Sequence, residues 1–212
     1  MYATTVKDKK LTLTVSGRLW KRSLVMMDIE TKSLWSHLLG EAMDGELKGE
    51  KLKPLPAQMT TWAAWKRQHP KTTVLDMSRT FRNYDKSVYR KPQQYAIGLN
   101  IAGKTFHATF ESMIAKPLRN VTLNEWPVLI SYDIDSTAAR VFDRKVGQQV
   151  LEFESKGKDR IVDSATGSTW DTVSGQAIDG TMKGKTLRHM VAIPSYTRAW
   201  MMFHPDSQII GK

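Results

Sequence analysis

The chain contains an internal repeat. Residues 28–75 align without a gap on residues 163–210, and 16 of the 48 aligned pairs are identical. Unrelated segments of ordinary composition would share roughly three. A duplicated segment of this length folds into two copies of one supersecondary unit. The repeat therefore predicts a chain organised as two equivalent lobes.

The residues that both copies share are typical of turns. Each copy starts with Asp-x-x-Thr-x-Ser-x-Trp, at Asp28 and at Asp163, and an Asp-Gly pair follows at Asp44 and at Asp179. Short Asp, Thr and Ser side chains bond to nearby backbone amides, and Asp-Gly pairs favour tight turns. An acid–base or nucleophilic role for Asp28, Ser33 and their counterparts is the alternative. We favour turns, because an active site seldom needs two copies in one small chain.

The spacing of apolar residues predicts short strands. Leu11, Leu13 and Val15 alternate with threonines, which is the period of a half-buried strand. Turn signals then recur at intervals of about eight to twelve residues, as in small sheets and barrels.

Each copy also contains one predicted helix. Thr60 or Thr61 can cap a helix at Trp62–Gln68, and Ser195 can cap one at residues 196–203. A proline follows each segment and ends the helix. The fold class is therefore predicted to be mainly β with short helices. We expect two pseudo-repeated small β-sheet or barrel lobes, each closed by a short amphipathic helix.

The two copies differ in what precedes them. Strands at Trp126–Asp133 and 139–142 stand ahead of the second copy, and a hairpin at 96–107 turns at Ala102-Gly103. The first copy has no counterpart of those strands, so its lobe should lack its first strand. Either the N-terminus is truncated, or a partner or the other lobe covers the gap, because an open sheet edge favours self-association. The predicted division is a first repeat lobe in residues 1–75, a linker loop and hairpin in 76–110, and a second repeat lobe in 111–212.

Composition excludes several classes of protein. The chain has no cysteine, which rules out disulfides, thiolate catalysis and cysteine-bound zinc. No apolar run approaches the ~18–20 residues of a membrane span, and the first ten residues contain no signal-peptide core. A Walker loop, a Gly-x-Ser-x-Gly motif and a Rossmann fingerprint are all absent from the sequence. We expect no cofactor, and the compartment stays undetermined.

Charge is distributed unevenly. Residues 1–106 hold 19 Lys and Arg against 9 Asp and Glu, which is +10 of the net +11. A basic half favours anionic partners such as a small molecule, a glycan or an acidic protein surface. Nucleic acid is not expected, because no recognised binding motif accompanies the charge. The alternative is a solvated basic surface without a partner.

The order of short motifs resembles one known family. The motifs are Ser16-Gly17, Leu24-Val25-Met26-Met27-Asp28, Ser33-Leu34-Trp35, Thr60-Thr61-Trp62-x-x-Trp65, His69-Pro70, Thr137-Ala138, Phe142-Asp143, Thr166-Gly167-Ser168-x-Trp170 and Phe203-His204-Pro205. Over nearly its whole length the chain is similar to the bacterial and archaeal family called domain of unknown function 3179. The resemblance implies proteins that are often exported and that have no established activity.

The chain departs from that family's pattern at two places. Members usually start with a strand bearing a Cys-Pro-Leu-(Thr/Cys)-Gly-Thr type motif, which this chain lacks. They also tend to have Tyr-Asn-Ser where this chain has Trp20, Lys21 and Arg22. A metal or redox role resting on the cysteine strand therefore does not carry over.

The histidines are weak candidates for metal binding. His69 and His204 occupy the same place in both copies, between a helix and a proline. We interpret them as contacts at a helix C-terminus, and a pair of equivalent ligand sites is the alternative. The other three histidines lack metal-binding spacing, so no metal site is predicted. The rival function is a metal- or redox-linked enzyme with histidines in the groove between the lobes, or an inactive truncated family member.

Tryptophans fall into two groups. Four recur in both copies and are predicted to be core: Trp35, Trp65, Trp170 and Trp200. The other three are freer to serve binding: Trp20, Trp62 and Trp126.

Residues that only one copy possesses are the best candidates for function. The first copy has five extra residues around a basic patch, and a basic linker separates the copies. Cations interleaved with aromatic rings suit an anionic ring, a phosphate or a sugar acid. We predict a non-enzymatic binding module for an anionic ligand or partner surface, with a solvated loop as the alternative and no catalytic residues assigned. The candidate ligand-binding residues are Arg18, Trp20, Lys21, Arg22, Arg82, Tyr84 and Arg90.

Overall fold

A computed structural model describes residues 1–74 and 91–211 of the chain. The first copy contains β1 (Thr5–Val6), β2 (Lys9–Lys10), β3 (Leu13–Trp20), β4 (Ser23–Asp28), β5 (Leu34–Ser36), β6 (Ala42–Asp44) and helix α1 (Trp62–Gln68). A 3-10 turn at Pro92–Gln94 leads to β7 (Tyr95–Ile101), β8 (Lys104–Thr109), helix α2 (Phe110–Ala115), β9 (Leu118–Leu123), β10 (Trp126–Asp133) and β11 (Ala138–Asp143). The second copy contains β12 (Lys145–Val146), β13 (Gln149–Val150), β14 (Phe153–Ser155), β15 (Arg160–Asp163), β16 (Thr169–Asp171), β17 (Ala177–Asp179), β18 (Ile193–Tyr196), helix α3 (Thr197–Phe203) and β19 (Gln208–Ile209).

The two copies fold alike, which confirms the mainly β fold with a duplicated unit. Strands β3–β6 form one four-stranded antiparallel sheet and β14–β17 form another, each in the order of the chain. Trp35 and Trp170 lie at equivalent places in these sheets, and neither side chain is exposed to solvent. Each tryptophan belongs to the apolar cluster of its own lobe. The shared residues therefore hold the same local structure twice.

The repeated sheets are open and do not form barrels. In each of the two repeated four-stranded sheets the first and last strands are not paired with each other. Closing a sheet on itself usually takes about eight strands of sufficient length. Four strands, two of them only three residues long, cannot curve far enough. The barrel alternative is therefore wrong, whereas the small-sheet alternative is confirmed.

Helix α3 does not close the sheet of its own copy. It packs on a different sheet, ordered β18-β7-β8-β19, with the ring of Trp200 against Gly98. A Cβ atom built on Gly98 would lie 2.3 Å from that ring, so glycine is needed there for space. Because β18 leads directly into α3, the helix can only fold back onto the sheet that β18 joins. Helix α3 thus covers the sheet that contains β18 and β19 of the second copy, rather than the sheet β14–β17.

The largest described core lies between the two central sheets. Strands β18, β7, β8 and β19 form one of them, and β11, β10 and β9 form the other. Their apolar faces meet around Leu99 and Ile130, together with Phe110 and Met113 of α2. The predicted hairpin is confirmed, with both turn residues, Ala102 and Gly103, at positive φ as a two-residue turn requires. The division of the chain into three segments stays a prediction.

The helix boundaries follow the predicted capping in one copy only. Helix α1 has the predicted bounds, and the Thr61 hydroxyl accepts a hydrogen bond from the Ala64 amide at 3.2 Å. Helix α3 begins one residue later than predicted, and Ser195 lies in β18 rather than at the cap. Pairing of Ser195 with Ala96 of β7 places it in the sheet. None of the helices in residues 1–74 and 91–211 is long and apolar enough to cross a bilayer.

Candidate functional site

The shared Asp-x-x-Thr-x-Ser-x-Trp motif forms a buried turn. Asp163 accepts hydrogen bonds from the Thr166 amide at 2.7 Å, the Thr166 hydroxyl at 2.8 Å and the Trp170 indole at 2.8 Å. Ser168 then accepts from the Met182 amide of the next turn at 3.0 Å. The serine and the aspartate are both fully buried, so neither meets a substrate. The interpretation of these residues as turn formers is confirmed.

The first copy repeats these bonds almost atom for atom. Asp28 accepts from the Thr31 amide at 2.6 Å and from the Trp35 indole at 2.8 Å. Burial raises the pKa of Asp28, but hydrogen bonds from Trp35 and Thr31 outweigh it and hold the pKa below its ordinary value. The carboxylate is thus kept ionised as a structural acceptor.

His69 and His204 occupy the predicted place at the end of a helix. Each backbone amide donates to a tryptophan carbonyl one turn earlier, Trp65 and Trp200 respectively, at 2.9 Å. Each imidazole also stacks on that tryptophan, with ring centroids 4.0 and 4.1 Å apart. Burial lowers the pKa of His204, and the charge of Lys21 lowers it further. Both histidines thus lie at a helix C-terminus, and the described residues contain no cluster of three or more potential metal ligands.

The five extra residues of the first copy lengthen one hairpin. Strand β3 has eight residues where its counterpart β14 has three, and its pairing with β4 shifts between Val15 and Leu19. The Ser16 hydroxyl donates to the Val25 carbonyl at 2.6 Å across this irregularity. Lys21 and Arg22 form the two-residue turn, both at positive φ. The insertion therefore presents two cations at the tip of a hairpin.

The tip of this hairpin lies on helix α3 of the other copy. Trp20 meets Phe203 edge to face, with ring centroids 4.9 Å apart. The Lys21 ammonium donates to the Met202 carbonyl at 2.8 Å and lies 5.3 Å from the Phe203 ring. A cation at the carbonyl end of a helix is favourable, since those carbonyls have no partner within the helix. The hairpin thus joins the two copies and orients its own cations.

A pocket of about 600 Å³, which we call the basic pocket, opens beside this contact. Its cationic wall consists of Lys21, Arg22 and Arg198, the last of these on α3. The amides of Gln93 and Gln94, which follow the linker directly, form another wall. No carboxylate is found among its described lining residues, which are Lys21, Arg22, Gln93, Gln94, Tyr196, Thr197, Arg198, Ala199 and Met202.

The other predicted site residues lie elsewhere. Arg18 and Trp20 line a separate cavity of about 550 Å³ on the first sheet, together with Glu41, which pairs with Lys51 at 3.4 Å. Arg82, Tyr84 and Arg90 lie outside the described residues. The structure thus brings together two of the predicted cations and adds Arg198, whose counterpart in the first copy is Ala63. Comparison of the aligned copies could have found this third cation.

Comparison with known families matches the whole chain. The family model described as protein of unknown function (DUF3179) matches residues 1–96 and again residues 91–212. The chain belongs to this family. The double match agrees with the duplication seen in the sheets of this family member. No curated protein and no solved structure matches the chain.

One feature of this DUF3179 member was missed from the sequence. Arg140 lies in the middle of β11, is only 4% exposed, and none of its guanidinium nitrogens has a hydrogen-bond partner among the described residues. Burial lowers its pKa, against the opposing charges of Asp133, Asp159 and Asp171. The available signal was one charge within the apolar stretch Ala138-Ala139-Arg140-Val141-Phe142.

Proposed function

We propose that this DUF3179 member is a binding protein for a small anionic molecule, and that the basic pocket holds the anion. The observation that carries the proposal is three cations in one pocket without a carboxylate among its described lining residues. Cations that lack nearby acids keep their capacity to bind an outside anion. Oriented arginine forks suit phosphate and carboxylate groups in particular.

The free donors, the exposed cations and the volume of the pocket support the same function. The Lys21 ammonium has three donors and uses one on the Met202 carbonyl, so two can reach a ligand. Arg22 and Arg198 side chains are exposed and form no ion pair with another described residue. The volume of the pocket is that of an ordinary small-molecule site. Three cations favour a ligand with more than one negative charge.

The alternative function as a metal- or redox-linked enzyme has less support. It required histidines that meet in the groove between the lobes. His69 and His189 do line one cavity there, but each ring stacks on an aromatic side chain of its own copy. The basic pocket contains no histidine, cysteine or carboxylate among its described residues. Binding without chemistry is therefore the function that the geometry favours.

We expect inorganic pyrophosphate to bind in the basic pocket and Arg22→Gln and Arg198→Gln each to weaken it about tenfold. Each substitution removes a charge-assisted hydrogen bond, and a partly exposed bond of this kind contributes about 1.4 kcal/mol. Isothermal titration calorimetry at low ionic strength measures the affinity, which should fall as salt is added.

Arg18→Gln is the matched control, because it removes a cation from the same hairpin outside the basic pocket. It should change the affinity less than twofold. Absence of pyrophosphate binding by the native protein would contradict the proposal. So would an equal loss of affinity in all three variants, which would indicate attraction by overall charge alone.

A further inference from the structure

A cleft separates the segment around α1 of the first copy from β11 and from the second copy that follows β11. Two adjoining cavities, of about 440 and 900 Å³, share Gln58 and His189 in their walls. Trp65 contributes to the first cavity and His69 to the second, both from the first copy. We call the two cavities together the interlobe cleft. It is distinct from the basic pocket, because the two have no described lining residue in common.

The interlobe cleft contains an unpaired buried cation. Arg140 lines the smaller cavity, and its Nε and both terminal nitrogens lack hydrogen-bond partners among the described residues. A guanidinium stays charged at any ordinary pH and carries five N–H donors in a planar fork. Burying such a group without partners costs several kcal/mol, so a native fold does not usually retain one. A missing partner is the simplest reason for its presence.

The nearby acids do not supply that partner. Asp171 accepts from the Ser174 amide and hydroxyl, each at 2.8 Å, and also pairs with Arg160. Asp133 accepts from the Ser136 hydroxyl and from the Asp135 amide at 3.0 Å. Asp159 acts on Arg140 only through its charge, without a hydrogen bond. The fork of Arg140 is therefore left for a group from outside.

The opposite wall of the cleft is also incompletely bonded. The side-chain carbonyl oxygens of Gln58 and Gln68, both in the lining of the cleft, are buried without partners in the described part of the chain. Unmatched buried polar atoms on both sides of one cleft indicate a ligand between them rather than a packing fault on one side.

The charge and lining of the smaller cavity select the class of ligand. One buried cation neutralises one negative charge. Around it, three aspartates make the potential unfavourable for a second negative charge. The apolar part of the wall includes Pro56, Trp65, Val141, Met190 and Ala192. An apolar molecule with a single carboxylate matches both the single cation and the apolar wall. Inorganic phosphate can pair with the cation, but it carries more than one negative charge and has no apolar body.

We infer that the interlobe cleft is a second binding site, in which Arg140 holds the carboxylate of a small monocarboxylic acid with an apolar body. The carboxylate accepts two parallel hydrogen bonds from the guanidinium fork, and Trp65 and Met190 cover the apolar body. Because the cleft lies between the copies, a bound acid stabilises their contact.

Benzoate is the test ligand, and benzamide is its neutral counterpart of the same shape. Benzoate should raise the thermal unfolding midpoint of the native protein in a concentration-dependent manner, while benzamide and inorganic phosphate should not. It should also shift the Arg140 side-chain Nε–H resonance in NMR spectra, which requires no variant. Failure of benzoate to produce either change overturns the inference.

Arg140→Met tests the role of the guanidinium. Without ligand this variant should melt about 2–4 °C higher than the native protein, because it no longer buries an unpaired charge. Its response to benzoate should be lost, while its pyrophosphate affinity stays unchanged. Arg198→Gln should show the reverse, with the benzoate response retained. A benzoate response that survives Arg140→Met, or a variant that melts lower without ligand, overturns the inference.

Discussion

Asp163→Ala is expected to lower the free energy of unfolding by about 3–4 kcal/mol. The substitution leaves the Trp170 indole, the Thr166 amide and the Thr166 hydroxyl without their acceptor. The indole belongs to a tryptophan with no exposed surface, so water cannot replace the carboxylate. Bonds to an ionised acceptor are stronger than neutral ones, which explains the size of the loss.

Chemical denaturation measures this loss, and the duplication provides two comparisons. Asp28→Ala removes the same acceptor in the first copy and should cost a similar amount. Asp179→Ala, at the exposed end of β17, should cost less than about 0.5 kcal/mol. A small loss for Asp163→Ala would contradict a structural role for the shared motif.

Trp200→Ala is expected to cost about 3–5 kcal/mol, and Trp65→Ala less than half of that. The two tryptophans occupy the same place in the repeat, but Trp200 is 1% exposed whereas Trp65 is only half-buried. Trp200 fills the space over Gly98 and donates to the Ser207 hydroxyl at 2.8 Å. Trp65 makes the matching bond to Thr72 at 3.0 Å but lines the interlobe cleft.

The same denaturation experiment distinguishes these two positions. Equal losses of unfolding free energy in the two variants would show that position in the repeat, rather than packing on the neighbouring sheet, determines how much each tryptophan stabilises the fold. A larger loss at Trp65 would contradict the packing described for α3.

The features that the sequence predicted are those with local causes. Helix α1 starts at Thr61 because one hydroxyl reaches one amide three residues away, and the letters alone reveal this. The hairpin at Ala102-Gly103 likewise depends on two residues that accept positive φ. The role of Asp28 in a turn could be predicted from its recurrence at Asp163, because a residue needed for a turn recurs wherever that turn recurs.

The features that the sequence did not predict depend on contacts between distant segments. Identical letters at Trp65 and Trp200 gave no sign of unequal burial, because the difference arises from Gly98, about a hundred residues from Trp200. The sheets stay open because their strands are short. The spacing of the turn signals suggested longer strands and therefore left the barrel alternative open. From the sequence alone Arg140 would be expected at the surface. The structure shows that β11 pairs with β10 and that Arg140 lines the interlobe cleft.

We propose that the matched residues of the Asp-x-x-Thr-x-Ser-x-Trp motif maintain the fold, whereas the unmatched cations of the basic pocket bind the anion. Titration of pyrophosphate into the native protein, Arg22→Gln and Asp163→Asn, below their unfolding temperatures, tests this most directly. The account predicts an affinity about tenfold lower for Arg22→Gln and unchanged within about twofold for Asp163→Asn. Loss of affinity in Asp163→Asn, with native affinity in Arg22→Gln, would contradict it.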